Sequence, residues 1–270
     1  EKISRVFDGS KRKTANGYTL HGLGVNCILL KLEVHEGEQY TQNQIRKRIV
    51  EEYSQKFEQK GIWVFDRGND DKQFFKFLRH EAEVQFISRL RSNRGVVVKE
   101  TGAIMKVGNL PVGKYQVYLM NKNNTDVDLR AEFTLVISGH LDDEKRPIRL
   151  LSSLKHPYSS EEIVNMYLKR WGIENIFKRG KQKFNLEKIR VLSYEKFVNL
   201  IALIQFAINV STVTFLKIQE STYSLISGVL IYYKKFLKLK ALTVNLDSFI
   251  SFIRFALKPL LPRAQKSPPQ

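Results

Sequence analysis

The sequence predicts a mixed α/β fold in which a β-rich segment interrupts the core and a helical part follows. Three observations support this prediction. Strand-like runs, a helix-spaced segment and a further apolar run follow one another over residues 17–68. Residues 101–150 change to short alternating runs separated by Gly, Asn and Asp, and from Ser159 the apolar spacing is helical to about Leu257. Strands and helices in this order form layered α/β cores.

The helices and strands of the first hundred residues are predicted from the spacing of their apolar residues. Thr41–Phe57 places Ile45, Ile49 and Tyr53 four residues apart, which predicts a helix. Four other runs have the alternation or continuous apolar character of strands, and the first two of them are predicted to pair antiparallel: residues 17–25, 27–35, 84–91 and 95–98.

Residues 61–68 read Gly-Ile-Trp-Val-Phe-Asp-Arg-Gly, a short apolar run between glycines. This pattern is typical of a central strand buried on both faces. Asn69 or Asp70 is predicted to cap a helix that ends near Arg79. Asp66 directly follows the strand, where open α/β sheets display catalytic groups. Two interpretations of Asp66 are open: a functional carboxylate, or a cap of the following loop that pairs with Arg67.

Charge is the strongest compositional signal. The chain has 45 Lys and Arg against 27 Asp and Glu, a net charge of +18 and a pI near 9.8. Such a charge attracts polyanions, so nucleic acid is the leading partner and an acidic membrane surface the second. Basic clusters suited to a DNA path are Lys11–Lys13, Arg89, Arg91, Arg94, Lys178–Lys183 and Lys234–Lys240.

Cysteine and histidine usage excludes two classes of site. Cys27 is the single cysteine, which excludes an internal disulfide framework and a cysteine-based zinc site, and indicates a reducing, cytoplasmic compartment. The five histidines show no H-x-x-x-H spacing. Val198–Leu216 carries no charge over about the length of a membrane span, but its amide and hydroxyl side chains favour a buried core helix over a span.

Ser159–Phe184 is predicted to form one helix, because Ser159 and Glu162 have the spacing of a capping box. At about 100° per residue, four polar side chains fall within an arc of about 60°: Tyr167, Arg170, Glu174 and Lys181. Taken alone, this face favours a solvated surface with an Arg170–Glu174 pair, which stabilises a helix by a few tenths of a kcal/mol.

The joint pattern changes that balance. Residues 167–178 read Tyr-Leu-Lys-Arg-Trp-Gly-Ile-Glu-Asn-Ile-Phe-Lys, and Lys181 follows. They contain the pattern Tyr167-x-x-Arg170-x-x-x-Glu174. It resembles the Tyr-Arg-Glu-Lys signature of the bacterial DDE transposases of insertion-sequence family four. Val-Phe-Asp66-Arg-Gly is similar to the segment that holds the second catalytic Asp of that family. The resemblance extends over about residues 5–209.

This resemblance implies a DNA transposase catalytic domain with a ribonuclease H-like core. Such an enzyme hydrolyses phosphodiesters at transposon ends and transfers a strand by the freed 3′ hydroxyl. Asp66 and Glu174 are implied as catalytic ligands of two Mg²⁺ or Mn²⁺ ions, with their carboxylates about 4–8 Å apart. Tyr167, Arg170 and Lys181 are implied as DNA-binding residues. The expected partner is double-stranded DNA, at transposon ends and target, bound by a homodimer at the nucleoid, with no membrane.

The first catalytic Asp has two candidate positions. A ribonuclease H-like sheet begins with three antiparallel strands, and the first carries an Asp. Counting back from Asp66, residues 27–35 and 17–25 are the third and second strands. The first strand is therefore either the short run that ends at Asp8 or one that precedes Glu1. In the second case the expected function is that of a truncated, inactive transposase-derived protein that binds DNA.

The predicted domain organisation has five parts. They are the first part of the core (1–100), a β-rich insertion with its own small sheet (101–150), the core part with the Glu174 helix (151–215), a C-terminal helical segment (216–257) and a disordered tail (258–270).

Overall fold

The computed structural model describes residues 5–8, 13–35, 39–120, 127–141, 146–186, 189, 191 and 193–214. The described residues belong to two compact units. The sheet unit contains those within 4–21 and 35–171, and the hairpin unit contains 22–34 and those from 172 onward. The predicted parts 216–257 and 258–270 lie outside the described residues.

The strands are β1 Arg5–Asp8, β2 Lys13–Asn16, β3 Thr19–Val25, β4 Ile28–His35, β5 Ile62–Phe65, β6 Gln85–Arg89, β7 Gly95–Val98, β8 Ile104–Lys106, β9 Gly113–Met120, β10 Val127–Leu141 and β11 Pro147–Ser152. The helices are α1 Gln42–Lys56, α2 Lys72–His80, α3 Ser160–Leu168, α4 Trp171–Lys183 and α5 Tyr194–Thr214. Short 3₁₀ turns cover Arg67–Asn69 and Val107–Asn109.

One seven-stranded sheet dominates the sheet unit, in the order β5-β6-β11-β10-β9-β7-β8. The β5–β6 pair is parallel and the other pairs are antiparallel. The expectation that residues 101–150 form a separate small sheet is wrong, because β11 pairs directly with β6, with Leu150 opposite Arg89. Ile148, Leu150 and Leu151 are all buried, so β11 carries apolar residues on both faces and belongs in the middle of a sheet.

The predicted central position of β5 is also wrong. β5 is first in the strand order and, among the described residues, pairs with β6 alone. Its burial on two faces does hold. Ile62 and Val64 pack against the core cluster that includes α3, and the Phe65 ring meets Phe74 of α2 edge-on at 5.2 Å. A four-residue apolar run predicts that both faces of the strand are buried, but it does not predict which strands pair with its two edges.

The helix predicted over Ser159–Phe184 is two helices. Its start is confirmed: the capping box is present between Ser159 and Glu162. α3 ends at Leu168, and the N–H of Arg170 donates to the Tyr167 carbonyl at 3.0 Å, a tighter turn than an α-helical one. The arc of about 60° assumed one continuous helix from Tyr167 to Lys181, so it does not apply across the break between α3 and α4.

The hairpin unit contains most of β3 and of β4, which are joined through Asn26 in a left-handed backbone conformation, with φ 55°. Gly172 of α4 approaches this turn so closely that an added Cβ would lie 2.8 Å from the Asn26 carbonyl oxygen. A side chain at position 172 would force the helix away from the turn. The glycine therefore allows the first turn of α4 to pack closely against the hairpin turn.

α5 lies along β4 through two amide side chains. Gln205 accepts from the Leu32 N–H at 2.9 Å and donates to the carbonyls of Leu29 and Leu30. Asn209 accepts from the Leu29 N–H at 2.9 Å and donates to the Leu29 carbonyl at 2.8 Å. These amides bond to backbone N–H and carbonyl groups of β4 much as a neighbouring strand would.

The prediction of a buried core helix is correct for one face of α5 only. Ile201, Ile204 and Ile208 are buried, whereas Leu203 and Phe206 are 65% and 68% exposed. Among the described residues, α5 is the helix whose length and composition would allow it to cross a membrane, which is weak evidence on its own.

Candidate active site

Asp66 stands directly after β5 and is exposed. Its backbone is extended, and its side chain caps the turn Arg67–Asn69 by accepting from the Gly68 N–H at 3.1 Å. The Asn69 side-chain amide donates to the same oxygen, Oδ1. Oδ2 has no hydrogen-bond partner among the described residues. One oxygen thus orients the carboxylate and the other is available to a ligand.

Gly68 keeps the space beside this carboxylate open. A Cβ at this position would lie 3.3 Å from Oδ1 and 3.5 Å from Oδ2 of Asp66. The 3.3 Å separation is tighter than ordinary contact, so a side chain there would require the carboxylate to shift by a few tenths of an ångström. The Asp-Arg-Gly-Asn run therefore fixes the direction of the Asp66 side chain through its own backbone.

Basic side chains share the sheet edge with Asp66. β5 and β6 are parallel with Phe65 opposite Ser88, so the register places Asp66 next to Arg89. Arg91 is the second residue of the loop that follows β6. Burial lowers the pKa of the Arg46 guanidinium in α1. The negative charges of Asp66 and Asp71 raise this pKa, and the positive charge of Arg91 lowers it further.

Asp70 has a different role from the one predicted. Asp71, not Asn69 or Asp70, caps α2, by accepting from the Phe74 N–H at 2.8 Å. The Asp70 side chain is 0% exposed and pairs with Arg94 at 2.6 Å. It also accepts from the Arg91 N–H at 2.8 Å. Arg94, which the sequence suggested as a surface cation on a DNA path, is instead part of a buried ion pair.

Tyr167 is placed in the core of the sheet unit. Its side chain is 2% exposed and packs with Ile87, Leu150 and Ile163. The hydroxyl is buried and has no hydrogen-bond partner among the described residues. The Arg170 guanidinium lies 5.2 Å from the centre of the Tyr167 ring, a cation–π distance. The predicted hydrogen bond from Tyr167 to DNA stays a prediction, and in this structure the ring serves packing.

Glu174 and Lys181 occupy the first and last turns of α4. They are seven residues apart, so they lie on the same face, with Lys178 between them, and all three are exposed. Ile176 and Gly180 are the buried residues of the same helix. α4 thus presents a carboxylate and two ammonium groups on one side and packs with the other.

The structure brings only part of the predicted site together in one unit. Asp66 belongs to the sheet unit, and Glu174 and Lys181 belong to the hairpin unit. The predicted separation of the two carboxylates, about 4–8 Å, stays a prediction. Among the described residues no three His, Cys, Asp or Glu side chains group as an ion site. Asp8 ends β1, whose backbone pairs antiparallel with β2, with Asp8 opposite Lys13.

Comparison with known proteins gives a matching family model and similar solved structures. A family model described as the transposase DDE domain matches residues 8–210, well over half of the 270-residue chain. The comparison with curated proteins finds no match. The cryo-EM structure of a piggyBac transposase synaptic complex with hairpin DNA is similar at a TM-score of 0.44 and 14% identity. That similarity covers 89% of this chain and 47% of the other, so this chain spans about half the length of that transposase.

Proposed function

This chain belongs to the transposase DDE domain family, and on that basis we propose that it is the catalytic domain of a metal-dependent DNA transposase. The proposed reaction is hydrolysis of phosphodiesters at transposon ends, followed by strand transfer by the freed 3′ hydroxyl. The assignment to insertion-sequence family four and a ribonuclease H-like core are parts of this proposal. The observation that supports it best is Asp66, an exposed carboxylate with one oxygen available at the end of a parallel strand.

The donor set fits a hard divalent cation. Asp66 offers the unengaged Oδ2, and Glu174 offers a second exposed carboxylate. Carboxylate oxygens are the ligands that Mg²⁺ and Mn²⁺ prefer. Asp66 and Glu174 would hold two such ions, which supply Lewis-acid activation of the attacking oxygen and stabilisation of the leaving oxygen. Asn69 would keep the Asp66 carboxylate in one orientation through its bond to Oδ1.

Positive side chains would bind the DNA backbone. Lys181 and Lys178 stand on the same exposed face of α4 as Glu174, so phosphates held there would lie beside the proposed ligand. Arg170 would contact a phosphate near the cleaved bond, and the unpaired Tyr167 hydroxyl would donate to one if the end of α3 shifts on binding. The net charge of +18 supports double-stranded DNA as the partner. A homodimer on DNA at the bacterial nucleoid completes the proposal.

A second function is supported by one observation about strand pairing. β5 has a strand on one side only among the described residues, and β1, which carries Asp8, pairs with β2 instead. The resemblance implies an Asp-bearing strand beside the strand of Asp66. If no such strand completes the site, the protein binds DNA without cutting it.

Nicking of supercoiled plasmid in Mg²⁺ tests the proposal. We expect the chain to nick, and Glu174→Gln to nick at least about a hundredfold more slowly, with unchanged thermal unfolding and DNA binding. Glu161→Gln is the matched control, because Glu161 is an exposed carboxylate in the first turn of α3. Equal loss in both variants would contradict the role of Glu174. DNA binding without nicking by the unmodified chain would favour the second function, and nicking lost in Asp8→Asn would assign the first Asp to Asp8.

A further inference from the structure

The side of α5 that faces away from β4 carries a row of exposed apolar residues. Gln205 and Asn209 bond to the backbone of β4, and Ile204 and Ile208 on the same side of the helix are buried. At about 100° per residue, the opposite side carries four apolar side chains that are 40–68% exposed, here termed the outer stripe: Leu203, Phe206, Val210 and Val213. A contiguous apolar surface of this kind usually marks an interaction site.

The outer stripe has the spacing of a seam between two packed helices. Its members follow one another at intervals of three, four and three residues, which is the a/d pattern of helices that pack side by side. The stripe extends over about 15 Å of the helix, or about three turns. A membrane surface fits it less well, because helices that lie on membranes carry Lys or Arg beside their apolar face, and the sequence has neither between Lys196 and Lys217. The stripe therefore fits another amphipathic helix.

Residues 246–257 of the same chain supply a stripe of matching spacing and length. They read Leu-Asp-Ser-Phe-Ile-Ser-Phe-Ile-Arg-Phe-Ala-Leu. Four apolar residues in this run follow one another at intervals of four, three and four: Leu246, Ile250, Ile253 and Leu257. Asn245 before the run and Pro259 after it are typical boundaries of a helix. The run thus predicts an amphipathic helix of about three turns.

The connection between the two stripes favours this segment over a second copy of the chain. α5 ends at Thr214, and residues 215–245 join it to the run. Antiparallel helices need a connection of only about two to five residues, so this one is long enough for the run to return to α5 in either direction. A tethered segment is present at a high effective concentration, whereas a second copy must be recruited from solution.

We propose that residues 246–257 dock as a helix on the outer stripe of α5 and bury it. The family match ends at residue 210, so the docking segment lies beyond the part of the chain that defines the family, and the contact does not depend on the proposed catalytic function. Docking would also return the basic run Lys234–Lys240 to the hairpin unit, because this run lies in the connection.

Disulfide formation in the 270-residue chain tests the proposal. Cys27, the single cysteine, is replaced by Ser, and Phe206→Cys is combined with Ile250→Cys or with Ile253→Cys. We expect at least one of these pairs to close within the chain at least about tenfold faster than the control pair, Phe206→Cys with Ser251→Cys, because a disulfide needs Cα atoms within about 7 Å. Ser251 stands between the two isoleucines but would lie on the other side of the predicted helix. Equal rates in all pairs, or disulfides only between two chains, would overturn the proposal.

Trypsin cleavage after Arg254 gives a second measurement. Docking protects this bond, so Phe206→Asp and Ile250→Asp should each raise its cleavage rate at least about tenfold. Asn199→Asp is the matched control and should leave the rate unchanged, since Asn199 is exposed on the same helix outside the outer stripe. Cleavage after Arg94, which is held in a buried ion pair, should stay slow in every variant, and this separates release of the segment from unfolding. Unchanged rates in Phe206→Asp, or protection that appears only when anionic lipid vesicles are added, would overturn the proposal.

Discussion

Two aspartates four residues apart, Asp66 and Asp70, have opposite environments. Asp66 is exposed, and both of its hydrogen bonds go to one oxygen from within its own turn. Asp70 is 0% exposed, and both of its oxygens are engaged by residues of the loop after β6. A buried carboxylate whose oxygens are all satisfied stabilises the fold, whereas a carboxylate with one oxygen unengaged can bind a ligand. The difference indicates a stabilising role for Asp70 and leaves Asp66 with the open oxygen that its proposed role as a metal ligand requires.

The largest expected effect is on Asp70. Asp70→Ala leaves the Arg94 guanidinium, whose side chain is 12% exposed, without its partner carboxylate. Removing one member of a buried pair typically costs about 3–5 kcal/mol of the free energy of unfolding. Urea denaturation of Asp70→Ala and Asp66→Ala compares the two positions directly. Equal stability losses would remove the distinction, and recovery in Asp70→Ala combined with Arg94→Leu would strengthen it.

The next effect tests whether satisfied polar groups also stabilise the hairpin unit. Asn209→Leu removes the side chain that accepts from and donates to Leu29 of β4. Backbone groups left without partners at a packed face cost about 1–3 kcal/mol. Asn199→Leu is the control, because Asn199 is exposed on the same helix. If chemical denaturation gives the same stability for both variants, the amide contacts of α5 contribute nothing measurable.

A smaller loss of stability is expected at Asp71, which directly follows Asp70. Asp71 caps α2 through one hydrogen bond to the Phe74 N–H. Asp71→Ala should lower the free energy of unfolding by about 1 kcal/mol, well below the effect at Asp70, and Asp71→Ser should restore most of it. A loss as large as that of Asp70→Ala would show that the cap is not the main contribution of Asp71.

The smallest effect is a dependence on pH at the start of α3. Hydrogen bonds from the Ser159 backbone and hydroxyl lower the pKa of the Glu162 carboxyl. A carboxylate with a lowered folded pKa contributes stability above its unfolded pKa, and that stability is lost as pH falls through the folded pKa. The melting temperature of Glu162→Gln should therefore fall slightly less steeply from pH 7 to pH 3 than that of the unmodified chain. Parallel curves would contradict the contribution of this capping box.

Local patterns were sufficient for much of the fold. The spacing of Ile45 and Ile49 identified α1, and the Ser159–Glu162 spacing identified the start of α3. The position of Asp66 at a strand end follows from the glycine-bounded apolar run before it, a signal contained within eight residues that leaves its role open. In each case the residues that determine the structure are neighbours along the chain.

Contacts between distant residues could not be predicted in this way. Asp70 and Arg94 are 24 residues apart, and neither neighbourhood indicates the other. The edge position of β5 depends on how distant strands pair, and the packing of the first turn of α4 depends on the close approach of Gly172 to Asn26. Gln205 and Asn209 make their segment too polar for lipid, but their bonds to β4 follow only from the packed structure. These features are set by tertiary structure.

The affinity for Mn²⁺ tests the central claim most directly. Titration followed by the electron paramagnetic resonance of free Mn²⁺ measures binding without any requirement for cleavage. Asp66→Asn keeps the shape of the side chain and its acceptor for Gly68, so the variant should remain folded, yet it should bind Mn²⁺ at least about tenfold more weakly than the unmodified chain. Asp71→Asn, two residues outside the turn, should bind as the unmodified chain does. Equal Mn²⁺ affinity in Asp66→Asn and the unmodified chain would contradict the assignment of Asp66 as a metal ligand.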